Sequence, residues 1–304
     1  MTTFSVIGAG RLGTSLADIL TRRGWVLKII ADRDAMAARQ SRKIIGRGTP
    51  TADILRAGPR ADVLFICVPD DAVARVAQKL ARPDTRWSGK FVFHTSGILP
   101  AAVLEPLRRR GAFVASFHPV RSFPRKEKTR GLFPGVFWGV EGDREAVAAA
   151  RRIVRAIGGH TFLIAEKNKP VYHAACSLAS NGFVSLEGAA TALLQGLGFG
   201  SRQARAILMP LVEGTLQNVK DFGAEAALTG PVSRGDSRTV RQHLEALKPF
   251  PCEWQVYKAL ALQALALMAG RKLSAGKVRT LRRLLGDRQP PLRARPRTSS
   301  GRVP

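Results

Sequence analysis

Six residues near the start of the chain, Gly8-Ala9-Gly10-Arg11-Leu12-Gly13, have the types and spacing to hold a diphosphate. They follow a β-prone run, Phe4–Ile7, and open a stretch with apolar residues at helical spacing. In that setting the first glycine permits a tight turn, the second lets backbone approach the phosphates, and the third allows close helix–strand packing. The N–H groups and positive dipole at the start of the helix complete an anion site. Asp32 stands 24 residues after Gly8, where the next β-prone run ends. A ribose 2′-hydroxyl finds its acceptor at about that distance, whereas Arg33, the next residue, suits a 2′-phosphate. The two pull in opposite directions, so NADP and NAD both stay open as the cofactor. Val68-Pro69-Asp70-Asp71 closes the third apolar run and borders the same ligand edge; Pro69 and the two acids equally suit the start of a helix.

Proton-transfer groups lie further on. His94-Thr95-Ser96-Gly97 and His118-Pro119-Val120-Arg121 each end a β-prone run, so both reach the carboxyl edge of the sheet, where ligands gather. His94 is counted with the cofactor loops. His173, Ser177, Ser180 and Asn181 recur at i, i+4, i+7 and i+8, which is one face of an α-helix. Histidine exchanges a proton near neutral pH, so His173 or His118 would supply the proton in a hydride transfer. Ser96 and Asn181 would orient the substrate, with Ser177 as a further polar contact. Arg121 offers a two-pronged clamp for a substrate carboxylate. Arg234, in the turn-rich segment 229–236, either reaches the substrate or pairs with Asp236, and His243 reads as structural.

The elements that must position these groups change character along the chain. β-prone runs at 4–7, 26–31, 61–68, 90–94, 112–118 and 136–140 alternate with helical patterns, including one over 100–110. That alternation predicts an α/β fold with a doubly wound parallel sheet, a Rossmann sheet once the glycine loop is included. From Lys169 onward the pattern is helical, with segments at 169–196, 201–222, 237–247, 253–269 and 273–285. The expected organisation is a dinucleotide-binding domain at 1–165, a helical substrate or dimerisation domain at 166–287, and a basic, disordered tail at 288–304.

The 304 residues are 45% hydrophobic and 23% charged, a composition that excludes a wholly disordered or collagen-like chain. Against 22 Asp+Glu stand 49 Lys+Arg, for a net charge of +27, which favours phosphate-bearing partners. The tail has no aromatic side chain on which bases could stack, so nucleic acid is not the favoured partner. Three cysteines, Cys67, Cys176 and Cys252, form no CxxC pair, and no metal site is expected. No apolar run reaches the length of a membrane span and the first residues do not resemble a signal peptide, so the expected location is cytoplasmic.

Six segments taken together make the chain resemble a known group: Gly8–Gly13, Val68-Pro-Asp-Asp71, His94-Thr-Ser-Gly97, Ser116-Phe-His-Pro119, Tyr172-His-Ala-Ala-Cys-Ser-Leu-Ala-Ser-Asn181 and Ala227-Leu-Thr-Gly-Pro-Val-Ser-Arg-Gly-Asp236. The group is the Rossmann-like oxidoreductases that carry a helical C-terminal domain of unknown function. These are related to pyrroline-carboxylate reductase, the β-hydroxyacid dehydrogenases and the deazaflavin-type NADP oxidoreductases. The resemblance covers nearly everything except the tail. It implies an NAD(P)-dependent oxidoreductase acting on a small carbonyl, imine or hydroxy compound, usually as a homodimer, and it names no substrate. A non-catalytic dinucleotide sensor working through a partner is the alternative. The β-hydroxyacid dehydrogenases have a catalytic lysine on the first helix of the C-terminal domain, with an asparagine one turn later. The corresponding helix here shows His173 and Asn181 with no lysine between them, and Lys167 and Lys169 precede it in an unmatched register. This departure from the dehydrogenase pattern is the best support for the sensor alternative.

Overall fold

The computed structural model describes residues 2–58, 60–82, 85–123, 132–268 and 273–286; the basic tail expected at 288–304 lies outside them. Two compact units are present, Met1–Ser180 and Asn181–Pro304.

The first unit holds an eight-stranded sheet: β1 (Thr3–Ile7), β2 (Val26–Ala31), β3 (Thr49–Thr51), β4 (Val63–Ile66), β5 (Phe91–His94), β6 (Phe113–Pro119), β7 (Phe137–Gly142) and β8 (His160–Leu163). Their order is β3-β2-β1-β4-β5-β6-β7-β8. The first six run parallel. The sheet is not wholly parallel, as the alternation had suggested. β7 pairs antiparallel with β6, and β8 runs alongside β7. The described residues between β6 and β7 form no crossover helix, which a parallel return would need. β3 (Thr-Pro-Thr) and β8 (His-Thr-Phe-Leu) went unread because neither contains the apolar run that marks the other strands.

Around the sheet lie α1 (Arg11–Arg22), α2 (Ala35–Ile45), α3 (Asp70–Leu80), α4 (Glu105–Arg108), α5 (Arg144–Ala156) and α6 (Lys169–Ser177). The helix expected over 100–110 divides into a 3-10 turn, Ala101–Leu104, and the short α4. The strands are apolar on both faces because both are covered. On one face Phe4, Phe65, Phe93, Phe117 and Trp138 form a run of ring contacts and pack with Leu16 of α1 and Ile153 of α5. On the other, Leu64, Ile66, Val92 and Val114 pack with Val73 and Leu80 of α3 and with Trp87.

The second unit comprises α7 (Phe183–Gly196), α8 (Ser201–Ala227), α9 (Pro231–Arg234), α10 (Ser237–Ala246), α11 (Pro251–Met268) and α12 (Ala275–Leu284). Val240, Leu244, Leu265 and Leu281 form its small core. α8 changes direction at Gly223 (φ 76°). α7 buries only Thr191 and α8 only Ala204, leaving Val184, Leu211, Leu216 and Phe222 exposed. Among the described residues no helix is long and apolar enough to cross a membrane.

Candidate functional site

The turn from β1 into α1 is shaped by what its glycines exclude. Gly8 has φ +100°, and a Cβ there would stand 2.3 Å from the Cys67 carbonyl oxygen. A Cβ on Gly13 would stand 1.9 Å from the Gly8 carbonyl oxygen, whereas one on Gly10 would meet nothing within 4 Å. Packing therefore demands the first and third glycines, and the second faces open space. α1 begins with no side-chain cap and no acid in its first turn, so no side chain competes for its leading N–H groups. Arg11 is exposed there and Leu12 half-buried.

Ala9 is braced from both sides. Its N–H donates to Asp32 Oδ2 at 2.8 Å, and its carbonyl accepts from Ser41 Oγ at 3.0 Å and Thr14 Oγ1 at 3.3 Å. Asp32 Oδ1 accepts the Asp34 N–H at 3.0 Å. Both Asp32 oxygens are thus engaged in fixing the loop, a duty its sequence position did not reveal. A cleft of about 540 Å³ runs from Gly8 and Gly10 past Asp32 and Arg33 to Val68, Pro69, Asp71, Arg75 and Lys79. That volume is in the range of small-molecule and cofactor sites, and the open face of Gly10 and the uncapped helix start fit a dinucleotide.

A second group of polar side chains forms along β5, β6 and α6. Ser116 and His118 stand two apart on β6 and so share a face; Lys169 and Tyr172 stand three apart on α6 and share another. The two faces meet in register. Lys169 Nζ donates to Ser116 Oγ at 2.7 Å, and Tyr172 Oη lies 2.6 Å from His118 Nδ1. Lys169 is 0% exposed. Burial lowers its pKa, an effect opposed by the charges of Glu141, Asp70 and Glu166. Among the described residues no carboxylate lies within 4.0 Å of it. Ser116 Oγ in turn donates to the Ser96 carbonyl at 3.3 Å. Burial raises the Glu141 carboxyl, which accepts the Ala101 N–H at 2.8 Å.

The histidines divide sharply. His94 is buried, and its Nδ1 accepts the Ser96 N–H at 3.2 Å while Nε2 lies 3.1 Å from the Pro100 carbonyl. Both ring nitrogens are consumed within the turn, and burial, with Lys169 nearby, pulls the ring down to about 3. His94 therefore shapes the loop instead of presenting an atom to the cofactor. His118 is pulled down to about 4, by burial first, then by His173 and Lys169, with Asp70 acting in the opposite sense. Its ring lies 6.0 Å from that of His173, centroid to centroid. Both crowd over Gly97: a Cβ there would be 2.6 Å from His173 Cδ2 and 2.9 Å from His118 Nε2. Ser96 Oγ accepts from the N–H groups of Ile98 and Leu99 at 3.3 and 3.0 Å and holds this turn.

Arg121 is exposed just beyond β6 and Ser177 is exposed at the end of α6. A π-helical turn spans Leu178–Gly182, so the α-helical spacing that aligned His173 with Ser180 and Asn181 does not persist; the wider turn rotates later residues off that face. Asn181 belongs to the second compact unit. Arg234 and Asp236 make no ion pair within 4.0 Å, though the Thr239 hydrogen bonds and, more weakly, the Arg234 charge lower the Asp236 carboxyl. Asp236 instead caps α10, accepting the Thr239 N–H at 3.0 Å and the Thr239 hydroxyl at 2.7 Å. His243 hydrogen-bonds Tyr257 within the second unit, as a structural residue would. Among the described residues no cluster could hold a metal ion.

Lys169 and Tyr172 were missed as site residues. Their signal was available: Lys169, Tyr172 and His173 at i, i+3 and i+4, opposite Ser116-x-His118. Lys169 opens the first helix after the sheet and His173 follows one turn later, so a lysine does occupy this helix at the sheet.

Family models match in two places. Residues 2–119 match a Rossmann-like domain, and residues 136–264 match DUF2520, a domain of unknown function. The chain pairs a Rossmann-like domain with a DUF2520 domain. The first supplies the glycine loop, His94 and His118; the DUF2520 portion supplies Lys169, Tyr172 and His173. No curated protein matches the chain significantly. Among solved structures, a Bacteroides fragilis protein provisionally named an NADP oxidoreductase is 23% identical, with TM-score 0.72, over 86% of this chain and 97% of its own. A Thermotoga maritima protein is 25% identical, with TM-score 0.69, over 89% and 100%. A reductive aminase from Aspergillus terreus, solved with NADPH and ethyl-5-oxohexanoate, is 18% identical, with TM-score 0.59, over 94% and 93%. These likenesses place the Rossmann-like and DUF2520 pairing in a fold shared with such proteins.

Proposed function

We propose that this protein is an NADP(H)-dependent oxidoreductase acting on a small carbonyl, imine or hydroxy compound. The observation that carries the reading is a single carboxyl edge furnished at both ends. The uncapped glycine turn and its cleft lie at one end, and His118, His173 and a buried Lys169 lie at the other. Bound NADPH would supply a hydride from its nicotinamide. Gly8–Gly13 would hold the diphosphate, with Val68 and Pro69 walling the cleft. Asp32 braces the loop, and Arg33, Arg75 and Lys79, which line the cleft, favour the 2′-phosphate of NADP over NAD. Segment 68–71 borders both ends, since Asp71 lines the cleft while the Asp70 charge acts on His118 and Lys169. His173 supplies the proton, Ser96 shapes the Gly97 turn, and Arg121 stands near the end of β6 for an anionic substrate group. Lys169, buried against Ser116, favours the oxidoreductase over a sensor without turnover, whose support was the absence of a lysine. The bare apolar surface of α7 and α8 supports a homodimer.

The test is a screen of carbonyl and imine substrates at the reduced-nicotinamide absorbance, with calorimetric titration of NADPH and NADH. His173→Ala should cut turnover about 100-fold, within the span of general acid catalysis, and leave NADPH affinity nearly intact. Unchanged turnover would remove His173 from the reaction.

A further inference from the structure

We infer that Tyr172 locks His118 as the Nε2–H tautomer, and that this fits the site to the oxygen of a ketone or aldehyde and not to a protonated imine. The substrate half of this inference rests on the oxidoreductase reading above; the tautomer half does not.

The hydrogen bond between Tyr172 Oη and His118 Nδ1, at 2.6 Å, could run in either direction. The surroundings of Tyr172 decide it. Burial first, and then Cys176 one turn along α6, raise the phenol pKa, so the O–H stays on. Sulfur is a weak acceptor and an imidazole nitrogen a strong one. At 2.6 Å the contact is shorter than the usual N–H···O bond, and the phenol therefore donates to Nδ1. The groups facing the His118 ring are Tyr172, His173, Lys169 and Asp70, and burial with two neighbouring cationic or ionisable groups keeps that ring uncharged. Its single proton then sits on Nε2.

That atom lies over Gly97 beside the His173 ring. Among the described residues no polar atom is within hydrogen-bond distance of it. An N–H aimed into this strip needs a lone pair opposite. A carbonyl oxygen has two, whereas a protonated imine presents an N–H of its own and leaves two donors facing. The buried ammonium of Lys169 adds positive potential that favours an oxygen gaining negative charge and opposes a cationic substrate. Bound NADPH would supply the hydride that forms the new C–H bond at the carbonyl carbon, and the C=O π pair would move to oxygen. His118 Nε2–H holds the developing charge as a neutral electrophile. The proton passes to oxygen from His173, which is half-buried and takes a proton back from solvent.

The test uses the full-length protein with ¹⁵N-labelled histidine at pH 7, the His118 resonances being identified by their loss in His118→Gln. Wild type should show His118 Nδ1 in the unprotonated range and Nε2 in the protonated range. Tyr172→Phe keeps the ring that packs on Phe162 but removes the hydroxyl, and should move the two nitrogens toward the averaged shifts of mixed tautomers. A purely packing role for Tyr172 would leave them in place. An Nδ1–H or doubly protonated ring in wild type, or an unchanged ring in Tyr172→Phe, overturns the inference. In the NADPH screen, turnover of ketones or aldehydes with no turnover of cyclic imines supports the substrate class, and the reverse overturns it. Absence of all turnover defeats the oxidoreductase reading and the substrate class with it, while the tautomer is decided by the spectra.

Discussion

At the β1–α1 turn the surface offered to a ligand is backbone, and its shape is set by side chains that are absent. Over Gly97 the surface is made of side chains from β6 and α6, and its character is set by groups buried beneath it. The first site excludes a Cβ at Gly8 and Gly13; the second depends on the Lys169–Ser116 and Tyr172–His118 hydrogen bonds. The sharpest way to break the comparison is Gly13→Ala. Its Cβ would press on the Gly8 carbonyl at 1.9 Å, backbone that can yield only by moving the loop. NADPH affinity should fall at least about 100-fold, or ~2.7 kcal/mol, in a calorimetric titration, with a lowered Tm; affinity within a factor of about two of wild type would mean that the loop does not seat the phosphates.

At the other end Lys169→Met probes a buried charge by an apolar side chain of similar length. Removing a buried ammonium can be neutral for stability, so the fold should survive. Turnover should drop about tenfold, worth ~1.4 kcal/mol, and the His118 pKa should rise from about 4, because Lys169 is one of the charges holding it down. A fixed His118 titration in the variant would show that Lys169 serves packing alone. The smallest effect is on acid stability. His94 and His118 titrate at about 3 and about 4 when folded, against an ordinary value of 6.5. The unfolded chain therefore takes up protons first, so stability is complete above about pH 6.5 and declines as pH falls toward 4 and 3. His118→Gln should flatten the upper part of that decline in denaturant titrations at successive pH values; an unaltered slope would contradict the low folded value.

The same contrast explains what could be read from residues alone. Glycine spacing exposes a backbone site because each glycine answers a local demand: Gly8 and Gly13 meet the turn and packing demands read for them, and Gly10 faces open space. The alternation that gave six strands also placed His94 and His118 at the carboxyl edge. It could not tell them apart, since the Pro100 carbonyl that consumes His94 is supplied by a loop. Asp32 was read only as a ribose acceptor because nothing in its position shows that the Ala9 N–H also reaches it. Lys169 was passed over because its register did not match the family lysine, and only the facing Ser116 shows it buried at the sheet. The π turn at Leu178–Gly182 has no period of its own to read, so a helical-wheel argument carried Asn181 onto a face that the backbone had already turned.

One consequence follows from the reversal of β7 and β8. Had the last two strands kept the direction of the first six, the polypeptide would have left the sheet at the ligand rim and its next helix would have started there, pointing away. Instead it leaves from the opposite rim, and α6 ascends the sheet. Its first residue meets Ser116 at mid-height, its fourth meets His118, and its fifth arrives at Gly97. A change of direction in two short strands thus lets a single helical turn place an ammonium below, a phenol at the level of the imidazole, and a second imidazole at the brim.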